Sequence, residues 1–327
     1  MELGYALSSE EHRPLDLVRN AVRAEEAGFS FALVSDHFHP WIDRQGESPF
    51  VWSVIGAIAA STERLRLGTG VTCPLVRIHP ALVAQAAATC ACLLPGRFFL
   101  GVGTGENLNE HILGDRWPSA SERREMLAEA IDLMRELWEG GLTTFEGRHY
   151  VVHDARVYTL PAEPIQVVVA ASGEAAAELA GRSGDGLVST APEAALVEAY
   201  RRAGGSGPAY GHLTVCYAAR EEAARRTARE WWPNAALPGS LSQELALPRH
   251  FEEAAALVGE DALAQHVVCG PDPDAHAQAI ARFAAAGFDH VYVHQVGPDQ
   301  DGFIAFYERE VLLAARELGR TREGARA

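Results

Sequence analysis

Apolar runs of five to eight residues recur along the chain without strict polar alternation. The first half carries "LGYAL" (3–7), "FALVS" (31–35), "LRLGTGV" (65–71) and "FFLGVGTG" (98–105). The second half carries "IQVVVAAS" (165–172), "GLVST" (186–190), "HLTVCYAA" (212–219) and "HVYVHQV" (290–296). Rich in Val, Leu and Phe, these runs read as strands buried on both faces, the habit of a parallel sheet. Helical patterns lie between them. "PLDLVRNAVRAEEAGF" opens with Pro at a plausible first turn and closes on Gly, and "HPALVAQAAATCACLLPG" and "EAAAELAGRSG" behave alike. Eight strands with intervening helices predict an α/β fold, a single (β/α)8 TIM barrel spanning 1–318.

The strand spacing is uneven, so two insertions are expected. Residues 106–163 hold the helix "RREMLAEAIDLMRELWEG" and a hairpin around "LTTFEGRHYVVHDARVYTLP". Residues 220–285 hold helices and a proline-containing connection. The stretch 319–327, "GRTREGARA", is expected to be a disordered tail.

In such barrels chemistry collects at the C-terminal ends of the strands. Those ends read "SDHFHPW", "GTGVTCP", "GTGENLNE", "AASGE" and "STAPE". Four of the five carry small or glycine residues, which suit a close approach of backbone to a ligand.

Composition removes several function classes. The 327 residues carry a formal charge of −16, which disfavours nucleic acid and anionic membrane as partners. No apolar run reaches the roughly 20 residues of a bilayer span. The start "MELGYALSSEEHRP" lacks the basic and apolar regions of a secretion signal, so a cytoplasmic location is expected. Five scattered cysteines do not suggest a disulfide framework. All 28 basic residues are arginine; without lysine, Schiff-base chemistry and a P-loop are excluded.

Individual residues leave open choices. His37-x-His39 has a metal-pair spacing, but a metal needs three or four converging ligands. The strand ends at 171–173 and 190 offer Ala, Ser, Gly and Thr, so no metal is expected. His39, before Pro40, reads as a turn cap, and His37 as a general base. Glu106 is either a first-turn helix acid or the acid opposite His37. Its "GVGTG" prelude lacks the third glycine and the helix of a dinucleotide fingerprint. Ser172 and Gly173 either hold a phosphate at a helix N-terminus or merely cap it. Trp41 either packs or stacks on a flat ring.

In order, "SDHFHPW", "GTGVTCP", "GVGTGENLNE", "AASGEAAAELAGRSGDG" and "DPDAHAQAIARFAAAGFDHVYVH" resemble the luciferase-like flavin/deazaflavin oxidoreductase superfamily. Within it the chain is most similar to the coenzyme F420-dependent glucose-6-phosphate dehydrogenase and sugar oxidoreductase group. The resemblance implies His37 as the base, Glu106 as the acid near the cofactor ring, and Trp41 lining the pocket and stabilising the reduced ring. It implies Asp36 and Asn109 at the cofactor, and a cis peptide at Gly70–Val71 behind the ring. It places Ala171, Ser172, Gly173 and Thr190 along the cofactor phosphate, and it suggests a homodimer.

One departure stands out. Where that group holds the sugar phosphate with two lysines and an arginine, this chain has Glu193, Ser242 and Gln265. A phosphate dianion needs charge-assisted bonds that these residues do not provide. The expected activity is therefore hydride transfer from a neutral sugar, at its anomeric hydroxyl to give a lactone, or from another alcohol, to coenzyme F420. The alternatives are an FMN-dependent luciferase-like monooxygenase and a metal-dependent barrel hydrolase.

Overall fold

The structure is a computed structural model that describes residues 1–313. Eight parallel strands form the ring: β1 (Glu2–Leu7), β2 (Phe31–Val34), β3 (Arg66–Thr69), β4 (Phe98–Val102), β5 (Gln166–Ala170), β6 (Gly186–Ser189), β7 (Ala209–Cys216) and β8 (His290–Gln295). β1 pairs with both β2 and β8, and β6 pairs with β7, so the sheet closes on itself. The (β/α)8 reading of the apolar runs holds.

The two-faced burial explains why those runs do not alternate. Phe31, Leu33, Phe99, Val168, Val188, Tyr210 and Tyr292 form a cluster of their own inside the barrel. The alternate residues, such as Leu3, Tyr5, Val34, Leu67 and Val167, join the larger cluster beneath the helices. The bulky interior rings need room. A Cβ on Gly4 would sit 2.4 Å from the Phe31 ring, and one on Gly68 would sit 2.3 Å from that of Phe99.

Helix boundaries follow local chemistry. α1 (Pro14–Ala27) has Pro in its first turn and ends at Gly28, whose φ of 97° lets its N–H turn back to the Ala24 and Glu25 carbonyls. α2 (Val51–Ser61) was not singled out in the sequence; it is apolar nearly all round, which blurs its period. α3 (Pro80–Leu93) starts where the His79 ring accepts a hydrogen bond from Ala81 N–H. α4 (Asn107–Glu110) is one turn following β4, and α5 (Ala120–Trp138) is capped by Ser119. α6 (Glu174–Ser183) and α7 (Ala194–Arg202) follow β5 and β6.

Both insertions are built as structured excursions. Strands Thr143–Glu146 and Val151–Ala155 form the expected antiparallel hairpin. Glu129 on α5 anchors its turn by accepting from the N–H groups of Arg148, His149 and Tyr150. The second insertion adds short helices and a two-residue strand, Val268–Cys269, that pairs with β7 outside the ring. It packs across the barrel mouth: Leu237, Leu245 and Phe251 meet Trp41, Ile42 and Leu108. Asn107 Nδ2 donates to the Glu244 carbonyl at 3.0 Å, and Gln45 Nε2 to that of Trp231 at 2.9 Å. The predicted strands at 65–71 and 98–105 end early, at Thr69 and Val102, so their glycine-rich ends belong to the mouth loops. The expected tail, 319–327, lies outside the described residues.

Candidate active site

Four loops meet at the C-terminal mouth of the barrel. The segment after β2 carries Asp36, His37 and Trp41; the segment after β3 carries the cis Gly70–Val71 peptide. The segment after β4 carries Glu106 and Asn109. The segment after β1, Ser8–Glu11, was not considered as a site in the sequence, yet it supplies a buried carboxylate beside His37.

Asn109 ties the site together. Its Nδ2 lies 3.2 Å from His37 Nδ1 and donates to Glu106 Oε2 at 3.2 Å. Its Oδ1 accepts from the N–H groups of Phe38 and His39, at 2.9 and 3.2 Å. One buried amide thus fixes the loop that carries the base and reaches the acid.

His37 is nearly enclosed. Its Nε2 faces Glu10 Oε1 at 3.3 Å, and its Nδ1 lies 3.2 Å from the His39 carbonyl. Nδ1 thus lies between that carbonyl and the Asn109 amide nitrogen, and Nε2 lies against a carboxylate. The Trp41 ring lies 4.9 Å away and is met edge-on by Phe251 at 5.2 Å. Glu10 is 2 % exposed. Burial pushes its carboxyl up, but His37, the Ser35 hydroxyl at 2.5 Å and its own backbone together bring it below the usual carboxylate range. It is an anion at neutral pH. The signal that could have found it is position: "SSEEH" follows directly on β1.

Asp36 is 4 % exposed and engages the protein itself. Its Oδ1 accepts from Arg77 at 2.9 Å and its Oδ2 from Thr72 at 2.8 Å. Arg77 also approaches Glu110 Oε1 at 3.5 Å, and its own N–H donates to Glu110 Oε2 at 2.7 Å. This guanidinium joins the loops after β2, β3 and β4. His39, read as a turn residue, contacts the Leu108 carbonyl at 2.8 Å and stacks on His111.

Ala171 is buried, while Ser172 and Gly173 lie exposed at the start of α6, and Thr190 lies exposed after β6. Ala171 N–H bonds the Val188 carbonyl, which sets the two loops side by side. Among the described residues no hydrogen bond or ion pair joins the three residues expected around a substrate. Glu193 is exposed and precedes α7. Ser242 lies in the short helix Leu241–Glu244, which leans on α4. Gln265 is exposed at the end of the helix Glu260–Ala264, whose Leu263 packs with Cys216 and Trp232 instead. Among the described residues no group of three or more His, Cys, Asp or Glu is arranged to hold a metal.

Comparisons with known proteins agree with the barrel fold. The F420-dependent glucose-6-phosphate dehydrogenase of Beutenbergia cavernae is 38 % identical over 97 % of this chain and 98 % of its own length. The one from Microbacterium testaceum is 37 % identical over 97 % and 98 %. A solved F420-dependent secondary alcohol dehydrogenase, in complex with an F420–acetone adduct, superimposes with a TM-score of 0.89 at 30 % identity, covering 96 % of this chain and 98 % of that one. The model of the luciferase-like monooxygenase family matches residues 1–290, and the chain belongs to that family.

Proposed function

We propose that this chain is a coenzyme F420-dependent dehydrogenase acting on a neutral alcohol, foremost a free sugar at its anomeric hydroxyl, which it converts to a lactone. The observation that carries the reading is the Asn109 amide, set 3.2 Å from both His37 and Glu106, so that base and acid stand on one frame. The curated relatives and the solved alcohol dehydrogenase named above are F420 enzymes.

The residues fit a flat ring with an anionic tail. A Cβ on Gly103 would lie 2.7 Å from Val71 Cγ2, and one on Gly105 2.5 Å from Cys73 Sγ, so the loops after β3 and β4 pack closely on each other beside the cis peptide. The exposed start of α6 at Ser172 and Gly173 would offer free N–H groups and the helix dipole to the cofactor phosphate. Bound F420 supplies a two-electron acceptor. His37 would take the hydroxyl proton, with its Nε2 held 3.3 Å from Glu10 Oε1 and its Nδ1 between the Asn109 amide and the His39 carbonyl. The charge formed is shared with the Glu10 carboxylate and the His39 carbonyl. Glu106 would hold its carboxyl beside the bound ring, and Trp41 with Phe251 would keep water from the cleft.

Charge supports the neutral-substrate reading. The chain has no lysine, and the buried Arg77 and Arg123 are engaged by protein groups. The experiment is a tryptophan-fluorescence titration with F420 and, separately, FMN, followed by a screen of free sugars, secondary alcohols and sugar phosphates for loss of deazaflavin absorbance. Saturable F420 binding and turnover of uncharged alcohols are expected. Turnover of glucose 6-phosphate alone would overturn the neutral-substrate reading; binding of FMN alone would move the chain to the oxygen-using branch. A homodimer in the cytoplasm belongs to the same reading, and sedimentation of the purified protein tests the dimer.

A further inference from the structure

A cavity of about 390 Å³ opens beside the strand Val268–Cys269, which pairs with β7 outside the ring. It is lined by that strand, by the end of the helix Glu260–Ala264, and by the helices Glu221–Trp231 and Pro273–Ala285. None of its lining residues belongs to the four loops of the candidate active site. The helix Pro273–Ala285 turns Ala275, Gln278, Ala279 and Arg282 toward it, a spacing of three, four and seven that falls on one helical face. Two of those four are alanines, so that wall stands back. Ala264, Val267 and Val268 complete an apolar lining.

The rim is cationic. Arg225 and Arg282 both line the cavity, and among the described residues no Asp or Glu does, although the chain carries 44 of them. Arg225 is already engaged by its own helix: its Nε and Nη2 donate to Glu221 Oε1 at 2.9 and 2.6 Å, a pair that does not use its Nη1. Asp261 also acts on Arg225 through its charge. Arg282 is exposed and enters no hydrogen bond or ion pair among the described residues. The Cys269 thiol lines the cavity too; burial pushes it up to about 11, so it adds no anion at neutral pH. The cavity thus combines apolar walls with a single uncompensated cation.

We propose that this cavity is a second small-molecule site, which takes an organic monocarboxylate with a short apolar body. Arg282 and the Nη1 of Arg225 hold the carboxylate by charge-assisted hydrogen bonds. The valines and alanines cover the apolar body. The volume lies toward the small end of ligand pockets, which run from roughly 300 to 1,000 Å³, and so suits a body of a few carbons. A neutral ligand would leave Arg282 unpaired, and a dianion would carry more charge than the site offset by Glu221 can match. The site stands independently of the dehydrogenase reading.

The test is a titration of the full chain with hexanoate, without cofactor, followed by the backbone amide and arginine Nε–H signals in NMR spectra. Saturable shifts are expected across 264–282 and at Arg225 and Arg282, and none at His37 or Glu106. Hexanamide has the same shape without the charge, and inorganic phosphate has the charge without the apolar body. Each should bind at least about tenfold more weakly than hexanoate, the worth of a charged hydrogen bond. Arg282→Gln changes an exposed side chain and should weaken hexanoate by a similar factor. Ala275→Phe fills the hollow, leaves both arginines in place and should abolish the shifts; if it does not fold, Arg282→Gln decides. No saturable shift, shifts confined to the mouth, hexanamide or phosphate binding as well as hexanoate, or undiminished binding in a folded variant would overturn the proposal.

Discussion

His37 and Asn109 show what a side chain contributes at this site. If His37 is the base, His37→Ala lowers kcat by about 10²- to 10⁴-fold, the usual worth of a positioned base, while F420 affinity changes little. Stopped-flow reduction and a fluorescence titration check the two halves; unchanged kcat would sink the assignment. Arg77 acts on stability as well as geometry. Its guanidinium is 7 % exposed between two carboxylates that are each 1 % exposed. Arg77→Met strands both anions and costs about 3–5 kcal/mol, read as a lowered urea midpoint. These two residues also mark where sequence reading stops. His37, Trp41, Glu106 and Asn109 stand in compact motifs at strand ends, and that made them legible. Glu10 and Arg77 depend on partners far along the chain, 27 positions away for Glu10–His37 and 41 for Arg77–Asp36, and only the closed barrel brings them together.

Among the elements, the eight barrel strands were readable because each is buried on both faces and so needs an uninterrupted apolar run. The strand Val268–Cys269 was not, since two residues have no period and exist as a strand only by pairing with β7. The placement of the second insertion was equally hidden. Its sequence shows short helices and prolines, but not that Phe251 will meet Trp41 above the cleft. Phe251 is fully buried in that contact. Phe251→Ala should cost about 3–5 kcal/mol in the part of the fold that unfolds with the insertion. Hydrogen exchange should quicken across 237–255 while the barrel strands stay protected. The Michaelis constant for the alcohol should rise more than kcat falls, because the wall beside Trp41 loosens while the His37–Asn109–Glu106 frame is untouched. Equal protection in both proteins would show that the insertion does not depend on this ring.

Across the whole molecule, the barrel divides labour between its two ends, with chemistry at the mouth and charge pairs that serve stability at the base. At the base, Glu2 opens β1 and His290 opens β8, with Glu2 Oε2 3.4 Å from His290 Nε2 and 3.6 Å from Arg66 Nη1. The His290 ring holds the Glu2 carboxyl down to about 2, against 4.5 for a free side chain. The contribution of Glu2 is therefore complete above 4.5 and is lost as pH falls toward 2. Burial works against the charged form of His290, yet Asp289 and Glu2 raise it above its ordinary 6.5. Its contribution is complete below 6.5 and is lost as pH rises through the raised value. Both are whole only between pH 4.5 and 6.5. Glu2→Gln should thus lower the melting midpoint most inside that window and less on either side, while kcat/KM at the mouth is unchanged. A deficit independent of pH would mean that Glu2 acts through packing. A change in the acid limb of the rate profile would mean that the two ends of the barrel are electrostatically coupled.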